Sequence, residues 1–260
     1  MIRIAAMADV HFGADAVGTL RPHVAHLSER ADLLLIAGDL TRIGDPAEAA
    51  LLLDELREVR VPIVSVLGNH DYHTDRVAEI VAVLANAGIP VLEGDAITLD
   101  IDGMRVGIGG VKGFAGGFIG ASASDFGEPE MRAFVRHAKE RAARLEAALR
   151  DLDADLRIAL THYAPVPETL QGERPGLYPF LGSYFLAEAI DRAGVHLALH
   201  GHAHAGSERG VTAGGVPVRN VAQPVLRRAY AIYCFDSAGK SAPVDLPPSP
   251  ELAGWRYLAH

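Results

Sequence analysis

The chain has 260 residues, of which 49% are hydrophobic and 22% charged, a composition typical of a globular enzyme with one large core. Its formal net charge of −9, with no Lys/Arg-rich run, argues against a general nucleic-acid binder. The single cysteine, Cys234, excludes an intrachain disulfide and a cysteine-built zinc site. The sequence lacks an apolar run of about 18 residues and room for a signal peptide, so we predict no membrane span and a cytoplasmic protein.

Short apolar runs alternate with helical patterns in the first third of the chain. Three of these runs are predicted to be buried strands, at 2–8, 33–38 and 62–68. Helices are predicted at 20–30, 46–59 and 75–87. This βαβαβ order predicts parallel strands joined by right-handed crossovers.

The remainder of the chain mixes hairpins, helices and further strands. A hairpin is predicted at 96–110 around the turn Asp102-Gly103, and the longest helix at 128–152, where Met131, Phe134, Ala138, Ala142, Leu145 and Leu149 form one apolar stripe. The later predicted elements are a strand at 156–161, a helix that opens near Ser183, a strand at 195–200, and closing antiparallel strands within 210–221 and 228–236.

The domain organisation predicted from this pattern is simple. Residues 1–236 form one domain, and residues 237–260 form a Pro-rich C-terminal tail. The tail is either a loosely ordered terminus or a segment that docks on its own domain or on a partner subunit. Whether the chain forms a homo-oligomer therefore stays open.

Polar residues follow the predicted strands where each strand ends. The sequences are "ADVH", "GDLTR", "GNHD", "LTHY" and "HGHAH". The carboxyl ends of parallel strands share one edge of a sheet, so we expect these side chains to meet there. The metal-ligand candidates are Asp9, His11, Asp39, Asn69, His162, His202 and His204.

This donor set has a definite chemical preference. Carboxylate, amide and imidazole ligands together suit divalent ions such as Mn, Fe or Zn. Seven side chains are too many for one ion but suit two, with a carboxylate as the natural bridge between the positive charges. Such a site provides a metal-bound hydroxide near neutral pH and clamps a phosphoryl oxygen.

The ordered set D-x-H, G-D, G-N-H-D, H and G-H-x-H resembles the calcineurin-like metallophosphoesterase superfamily. The resemblance implies an α/β fold, an αββα sandwich of two mixed β-sheets flanked by helices, with a dinuclear centre at one edge. It implies that Asp39 bridges the two ions. The remaining ligands would divide into Asp9, His11 and His204 for the first metal, and Asn69, His162 and His202 for the second.

The resemblance also suggests roles beyond metal binding. His70 would contact the phosphate and stabilise the transition state or protonate the leaving oxygen, and Asp71 would orient or tune His70. For His200, the last residue of its predicted strand, a buried or supporting role is favoured over metal binding. Tyr72 and His73 are interpreted equally well as loop residues or as substrate contacts.

Within the superfamily, "GDLTR" combined with "GNHD" looks like small prokaryotic phosphodiesterases, including those acting on cyclic nucleotides. The metal-ligating Tyr of purple acid phosphatases is replaced here by Arg42. The predicted function is therefore hydrolysis of a small phosphodiester by metal-bound hydroxide. The alternatives are a metal-dependent nuclease of the same superfamily and a non-catalytic scaffold on the same fold.

One glycine-rich stretch, 107–120, lacks the spacing of a dinucleotide-binding loop and is predicted to be a mobile loop after the hairpin. Lys112 lies within it. Two interpretations stay open for this side chain: contact with a substrate phosphate, or no functional role.

Overall fold

Two β-sheets, packed face to face, form the centre of the molecule. A computed structural model describes residues 1–242. The strands are β1 (Ile2–Met7), β2 (Leu33–Ala37), β3 (Ile63–Val66), β4 (Asp95–Ile101), β5 (Met104–Val111), β6 (Gly117–Phe118), β7 (Ala121–Ser122), β8 (Leu156–Thr161), β9 (Leu197–His200), β10 (Arg209–Val211), β11 (Pro217–Asn220), β12 (Ala231–Phe235) and β13 (Ser241–Ala242).

The longer helices cover the outer faces of the two sheets, and short helices lie in the connecting segments. They are α1 (Arg21–Val24), α2 (Leu27–Arg30), α3 (Pro46–Leu56), α4 (Val77–Asn86), α5 (Pro129–Arg150), α6 (Tyr178–Leu181), α7 (Tyr184–Ala193) and α8 (Gln223–Leu226). Local sequence explains several ends: the Asp45 carboxylate accepts the N–H of Ala47 at the start of α3, and Gly194 ends α7 in the left-handed conformation. Within residues 1–242, no helix is both long and apolar enough to cross a membrane.

Both sheets mix parallel and antiparallel strands. The first has the order β13-β12-β1-β2-β3, in which β1, β2 and β3 are parallel and β12 runs antiparallel to β1. The second has the order β10-β11-β9-β8-β5-β4, in which β5, β8, β9 and β11 are parallel. A separate two-stranded sheet pairs β6 with β7. The αββα sandwich predicted from the sequence is confirmed.

Side-chain alternation along the strands divides the core into layers. In β2, Leu33 and Leu35 point into the space between the sheets, whereas Leu34 and Ile36 pack on the outer side with α3 and α4. In β8, Ile158 faces the first sheet and packs with its core. The outer face of the second sheet packs against α5 and α7. Each sheet is thereby packed on both of its faces.

Three details differ from the sequence expectations. The predicted helix at 20–30 is split into α1 and α2. The segment 210–221 does contain an antiparallel pair, β10 and β11, but β11 joins β9 in parallel. Met131, expected in the apolar stripe of α5, is 44% exposed.

The first part of the glycine-rich stretch is strand rather than loop. Residues up to Val111 belong to β5, because their glycines allow close packing from both sides. A Cβ at Gly109 would lie 2.6 Å from the Leu149 side chain of α5, and one at Gly110 would lie 2.8 Å from Val66 of the first sheet. The hairpin predicted at 96–110 is therefore confirmed as β4 and β5, whereas the loop predicted for the whole of 107–120 begins only after Val111.

The predicted boundary between domain and tail falls at the turn between β12 and β13. The N–H of Asp236 donates to the carbonyl of Lys240, and Ser241 then pairs with Phe235. Residues 237–242 thus extend the first sheet. The rest of the predicted tail, 243–260, lies outside the described residues.

Candidate metal centre

The predicted ligands meet where parallel strands of the two sheets end. Asp9, Asp39 and Asn69 follow β1, β2 and β3, and the register of these strands aligns their ends. His162 follows β8, and the loop after β9 carries His202. The facing sheets bring these ends together, so residues almost 200 positions apart share one site.

A first group of ligand atoms is formed by Asp9, His11, Asp39 and His204, all within 4.8 Å of one another. Nε2 of His204 lies 2.9 Å from Oδ1 of Asp9 and 3.3 Å from Nε2 of His11. Nε2 of His11 lies 3.7 Å from Oδ2 of Asp39. The four side chains thus face a common point.

A second group is formed by Asp39, His162 and His202, again with ligand atoms within 4.8 Å. Nε2 of His162 lies 3.5 Å from Oδ2 of Asp39 and 2.9 Å from Oδ1 of Asn69. The amide oxygen of Asn69 therefore extends this group. Asp39 belongs to both groups, which is the position of a bridging carboxylate.

The hydrogen bonds of His162 show that the site fits a cation. Its Nδ1–H donates to the carbonyl oxygen of Ala37 at 2.9 Å, and burial lowers its pKa well below the usual value. The ring is therefore neutral and its Nε2 carries a lone pair. This lone pair faces Oδ1 of Asn69, another acceptor, with Asp39 nearby. A divalent ion between such atoms would satisfy all of them.

The charges at the centre lead to the same conclusion. Burial, followed by the neighbouring carboxylates of Asp9 and Asp71, raises the pKa of Asp39 well above its usual value. Burial also opposes ionisation of Asp9, but the surrounding imidazoles, His204 first, outweigh it and hold the pKa of Asp9 low. Two carboxylates buried side by side are costly without positive charge. Divalent ions would supply that charge.

Left-handed backbone conformations shape the ligand loops. The φ angles of Asp9, His11, Asp39 and His202 are 58°, 44°, 50° and 70°. Each costs about 1–2 kcal/mol in a non-glycine residue. Strained backbone of this kind is frequent at functional sites, and here it aims the ligand side chains at the centre.

Two glycines of the motifs allow the carboxylates to approach the neighbouring loops. A Cβ at Gly68 would overlap the carboxylate of Asp39, and a Cβ at Gly201 would overlap that of Asp9. The N–H of His202 also donates to both oxygens of Asp9, at 3.0 and 2.9 Å. These contacts explain why glycine precedes Asn69 and His202 in the motifs.

His70 lies beside the first group but is held by a different partner from the one expected. Its ring centroid is 4.4 Å from that of His11, and its backbone N–H donates to Oδ1 of Asp39 at 2.8 Å. Its Nδ1–H donates to the carbonyl oxygen of Arg42, also at 2.8 Å. The Arg42 carbonyl, which the sequence did not suggest, therefore orients the imidazole.

The carboxylate of Asp71, expected to orient or tune His70, bonds to the loops around the site rather than to the His70 imidazole. Its buried carboxylate accepts the N–H and hydroxyl of Thr41 at 2.8 and 2.6 Å, and the N–H groups of Gly68 and Leu40 at 2.8 and 3.3 Å. These bonds tie the loop after β2 to the loop after β3. Asp71 thus positions the backbone that carries Asp39 and Asn69.

His200 is separated from the other two histidines of its motif. It is fully buried, its Nδ1–H donates to the carbonyl of Gly201 at 2.8 Å, and its Nε2 lies 2.8 Å from the hydroxyl of Thr169. Burial lowers its pKa to about 4, so the ring is neutral. Both ring nitrogens already have protein partners. Its position agrees with the supporting role favoured from the sequence.

Several aromatic residues border the centre. The sequence analysis either did not identify them or left their role open. Tyr163 directly follows His162, and its ring centroid lies 4.4 Å from that of His202. The Tyr72 ring lies against Lys112, and the His73 ring centroid is 5.4 Å from that of His70. The only sequence signal for the two tyrosines was their place immediately after the "NHD" and "TH" blocks.

Comparisons with known proteins identify the family of the chain. A model of the family described as "Calcineurin-like phosphoesterase" matches residues 2–206. The chain is 35% identical over 100 residues to a "Probable cyclic nucleotide phosphodiesterase" of Synechococcus sp.. That alignment spans only 35% of this chain and 39% of the relative's length.

A solved structure shares the fold. The protein TT1561 of Thermus thermophilus matches with a TM-score of 0.55 at 19% sequence identity, covering 87% of this chain and 91% of that one. The family match covers all five predicted motifs, from Asp9 to His204. The chain therefore belongs to the calcineurin-like phosphoesterase family.

Proposed function

We propose that the protein is a dinuclear-metal phosphodiesterase that acts on small phosphoesters. The observation that carries this proposal is the position of Asp39, whose carboxylate belongs to both groups of ligand atoms. A carboxylate shared in this way suits two ions a few ångströms apart, which is the arrangement used for in-line displacement at phosphorus. Manganese, iron and zinc are the ions that the mixed donor set favours.

The ligands divide into two sets around Asp39. Asp9, His11 and His204 would hold the first ion. Asn69, His162 and His202 would hold the second. When bound, two such ions supply a water of lowered pKa as nucleophile and positive charge for the phosphoryl oxygens.

His70 is the residue of this chain that we assign to the leaving group and to the transition state. The Arg42 carbonyl accepts its Nδ1–H, which fixes the ring orientation beside His11. An imidazole fixed in this way can donate a hydrogen bond from its other nitrogen when protonated, either to a phosphoryl oxygen or to the departing oxygen.

The substrate is proposed to be a small phosphodiester, with cyclic nucleotides as the first class to test. Support comes from the name of the Synechococcus relative and from the "GDLTR" and "GNHD" blocks. A net charge of −9 disfavours a long polyanion such as DNA, which needs a basic surface.

The decisive experiment is an activity screen on protein reconstituted with Mn, Fe, Zn or Co. We expect release of nitrophenol from bis(4-nitrophenyl) phosphate, hydrolysis of cyclic AMP or cyclic GMP, and no activity after chelation. Cleavage of single- or double-stranded DNA at physiological salt, in place of these reactions, would establish the nuclease alternative. No turnover with any of the four metals would refute the proposal and favour the scaffold alternative.

A further inference from the structure

Lys112 lies at the same sheet edge as the ligand His162. It follows β5, whose last residue, Val111, pairs with Thr161 of the parallel strand β8. The carbonyl oxygen of Lys112 accepts the N–H groups of His162 and Tyr163, both at 3.0 Å. The backbone of Lys112 is therefore fixed directly beside the second group of ligands.

The side chain of Lys112 is enclosed by aromatic rings. Its Nζ lies 4.7 Å from the ring centroid of Tyr72 and 5.4 Å from those of Phe114 and Tyr163. Only 9% of the residue is exposed. Aromatic faces attract the positive charge but accept few hydrogen bonds, so they do not replace the water that an ammonium loses on burial.

The protein provides no conventional partner for this ammonium within residues 1–242. Neither an ion pair nor a hydrogen bond joins its Nζ to any described residue. Glu93 is near, but its Oε1 accepts from Nη1 of Arg141 at 3.0 Å and its Oε2 accepts the backbone N–H of Lys112 at 3.2 Å. Both carboxylate oxygens thus bond other donors, and neither bonds the ammonium of Lys112. The three N–H bonds of the ammonium remain available to a ligand.

The surroundings of the ammonium place it on the side of the metal centre. Tyr163 contacts both Lys112 and His202 through its ring, and Tyr72 shares a 3₁₀ turn with His70. Burial is the largest effect on the pKa of Lys112 and, together with the positive charge of Arg141, holds it below its usual value, against the opposing negative charges of Glu93 and Asp39.

We propose that Lys112 binds the substrate by donating a hydrogen bond from its ammonium to an oxygen of the phosphate group. A phosphate oxygen supplies the charged acceptor that the aromatic rings and Glu93 do not. The identification of the anion as a phosphoester rests on the function proposed above. The aromatic rings hold the ammonium in place before the substrate arrives, which reduces the ordering cost of binding.

The first test is equilibrium binding of orthophosphate, measured by calorimetry on Mn-loaded protein without turnover. The Lys112→Met variant keeps an unbranched side chain without the charge, and we expect its Kd to rise about tenfold or more. The Lys112→Arg variant retains the charge and should recover most of the affinity. An unchanged Kd in Lys112→Met, at unchanged metal content, would overturn the proposal.

Lys240→Met provides a matched control. Lys240 is an exposed residue in the turn between β12 and β13, and the antiparallel pairing of β12 with β1 puts that turn at the end of the sheet opposite the centre. The same charge is removed far from the phosphate. We expect the Kd of Lys240→Met to equal that of the wild type, so an equal loss in both variants would show a net-charge effect and overturn the proposal.

A second measurement needs no variant and covers the case in which Lys112→Met unfolds or loses metal. Wild-type protein is acylated with acetic anhydride, with and without saturating orthophosphate, and the three lysines are quantified by mass spectrometry. Phosphate should slow acylation of Lys112 about fivefold or more and leave Lys139 and Lys240 unchanged. Equal rates at Lys112 under both conditions would refute the contact.

These outcomes separate the present proposal from the proposed function. Wild-type protein that binds phosphate through Lys112 but hydrolyses no phosphoester would refute the function and leave the phosphate contact standing. Wild-type protein that hydrolyses phosphodiesters while Lys112→Met binds phosphate normally would refute the phosphate contact and leave the proposed function standing.

Discussion

Two buried carboxylates, those of Glu55 and Asp39, have very different surroundings. Glu55, on α3, accepts three backbone N–H groups, from Gly18, Leu20 and Arg21, at 2.9, 3.0 and 2.8 Å. Asp39 accepts one such group, from His70. Its other neighbours are imidazole nitrogens at 3.5 and 3.7 Å and the carboxylate of Asp9.

The difference distinguishes a structural carboxylate from a candidate metal ligand. Main-chain donors compensate the burial of Glu55, so its charge stabilises the fold without help from outside the chain. Asp39 lacks those donors and lies near another acidic group, so it needs positive charge from a bound ion. The same contrast separates His200, whose nitrogens both have protein partners, from His202, a member of the second ligand group.

The largest expected effect comes from Asp39→Asn. The neutral amide cannot bridge two cations, so we expect both metals to be lost and phosphodiesterase activity to fall by about 10³-fold or more. Metal analysis by mass spectrometry and initial rates on bis(4-nitrophenyl) phosphate would measure this. Retention of two ions per chain would disprove the bridging assignment.

The same variant should behave differently in stability once metals are removed. In chelator-treated protein, Asp39→Asn removes the repulsion between Asp39 and Asp9, so its melting temperature should exceed that of metal-free wild type. With metal present, the order should reverse, because only the wild type gains binding energy from the ions. Calorimetric scans with and without chelator would show the crossover.

The candidate ligands could be predicted from the sequence because each lies in a short local pattern. A buried strand followed by Gly-Asp or Gly-Asn-His-Asp is recognisable without tertiary contacts, and parallel strands bring the pattern ends to one edge. The assignment of Asp39, His162 and His202 to a common site is therefore readable from the chain. Their division between two individual ions stays a prediction.

The features that escaped prediction depend on contacts between distant segments. The sequence "NHD" places Asp71 next to His70, but the loop turns its carboxylate towards Thr41 and Gly68. The hairpin predicted at 96–110 includes most of the strand segment 107–111, but its glycines were also interpreted as a loop, because the packing against α5 and the first sheet that favours them depends on distant segments. The aromatic surroundings of Lys112 likewise combine three separate loops, which no local pattern encodes.

His70→Ala should separate catalysis from metal binding. His70 belongs to neither ligand group, so two ions per chain should remain. Loss of an imidazole that stabilises the transition state should lower kcat by about 10²–10³-fold. Steady-state kinetics together with metal analysis would test this, and loss of one ion would show that His70 is itself a ligand.

Glu55→Gln tests the structural side of the contrast. Its amide nitrogen would face N–H donors that now bond a carboxylate oxygen, so we expect the free energy of unfolding to fall by about 2–3 kcal/mol. Metal content and the activity per folded molecule should match the wild type. Urea denaturation measures the free energy of unfolding. If Glu55→Gln were as stable as the wild type, the hydrogen bonds from the main chain to the Glu55 carboxylate would not contribute to the stability of the fold.

The smallest effect is expected from His200→Ala, and it concerns the motif that holds three histidines. Removing the ring leaves a small cavity and breaks two hydrogen bonds, to the Thr169 hydroxyl and to the Gly201 carbonyl, at a cost of about 2 kcal/mol in the free energy of unfolding. Both ions should remain, because both ring nitrogens of His200 already form hydrogen bonds within the protein and do not face a metal. His202→Ala, two residues away, should lose the second ion. Equal metal loss from the two variants would mean that His200 also reaches the metal centre. Hydrogen bonds to both ring nitrogens would then not be a sign that a histidine only supports the site.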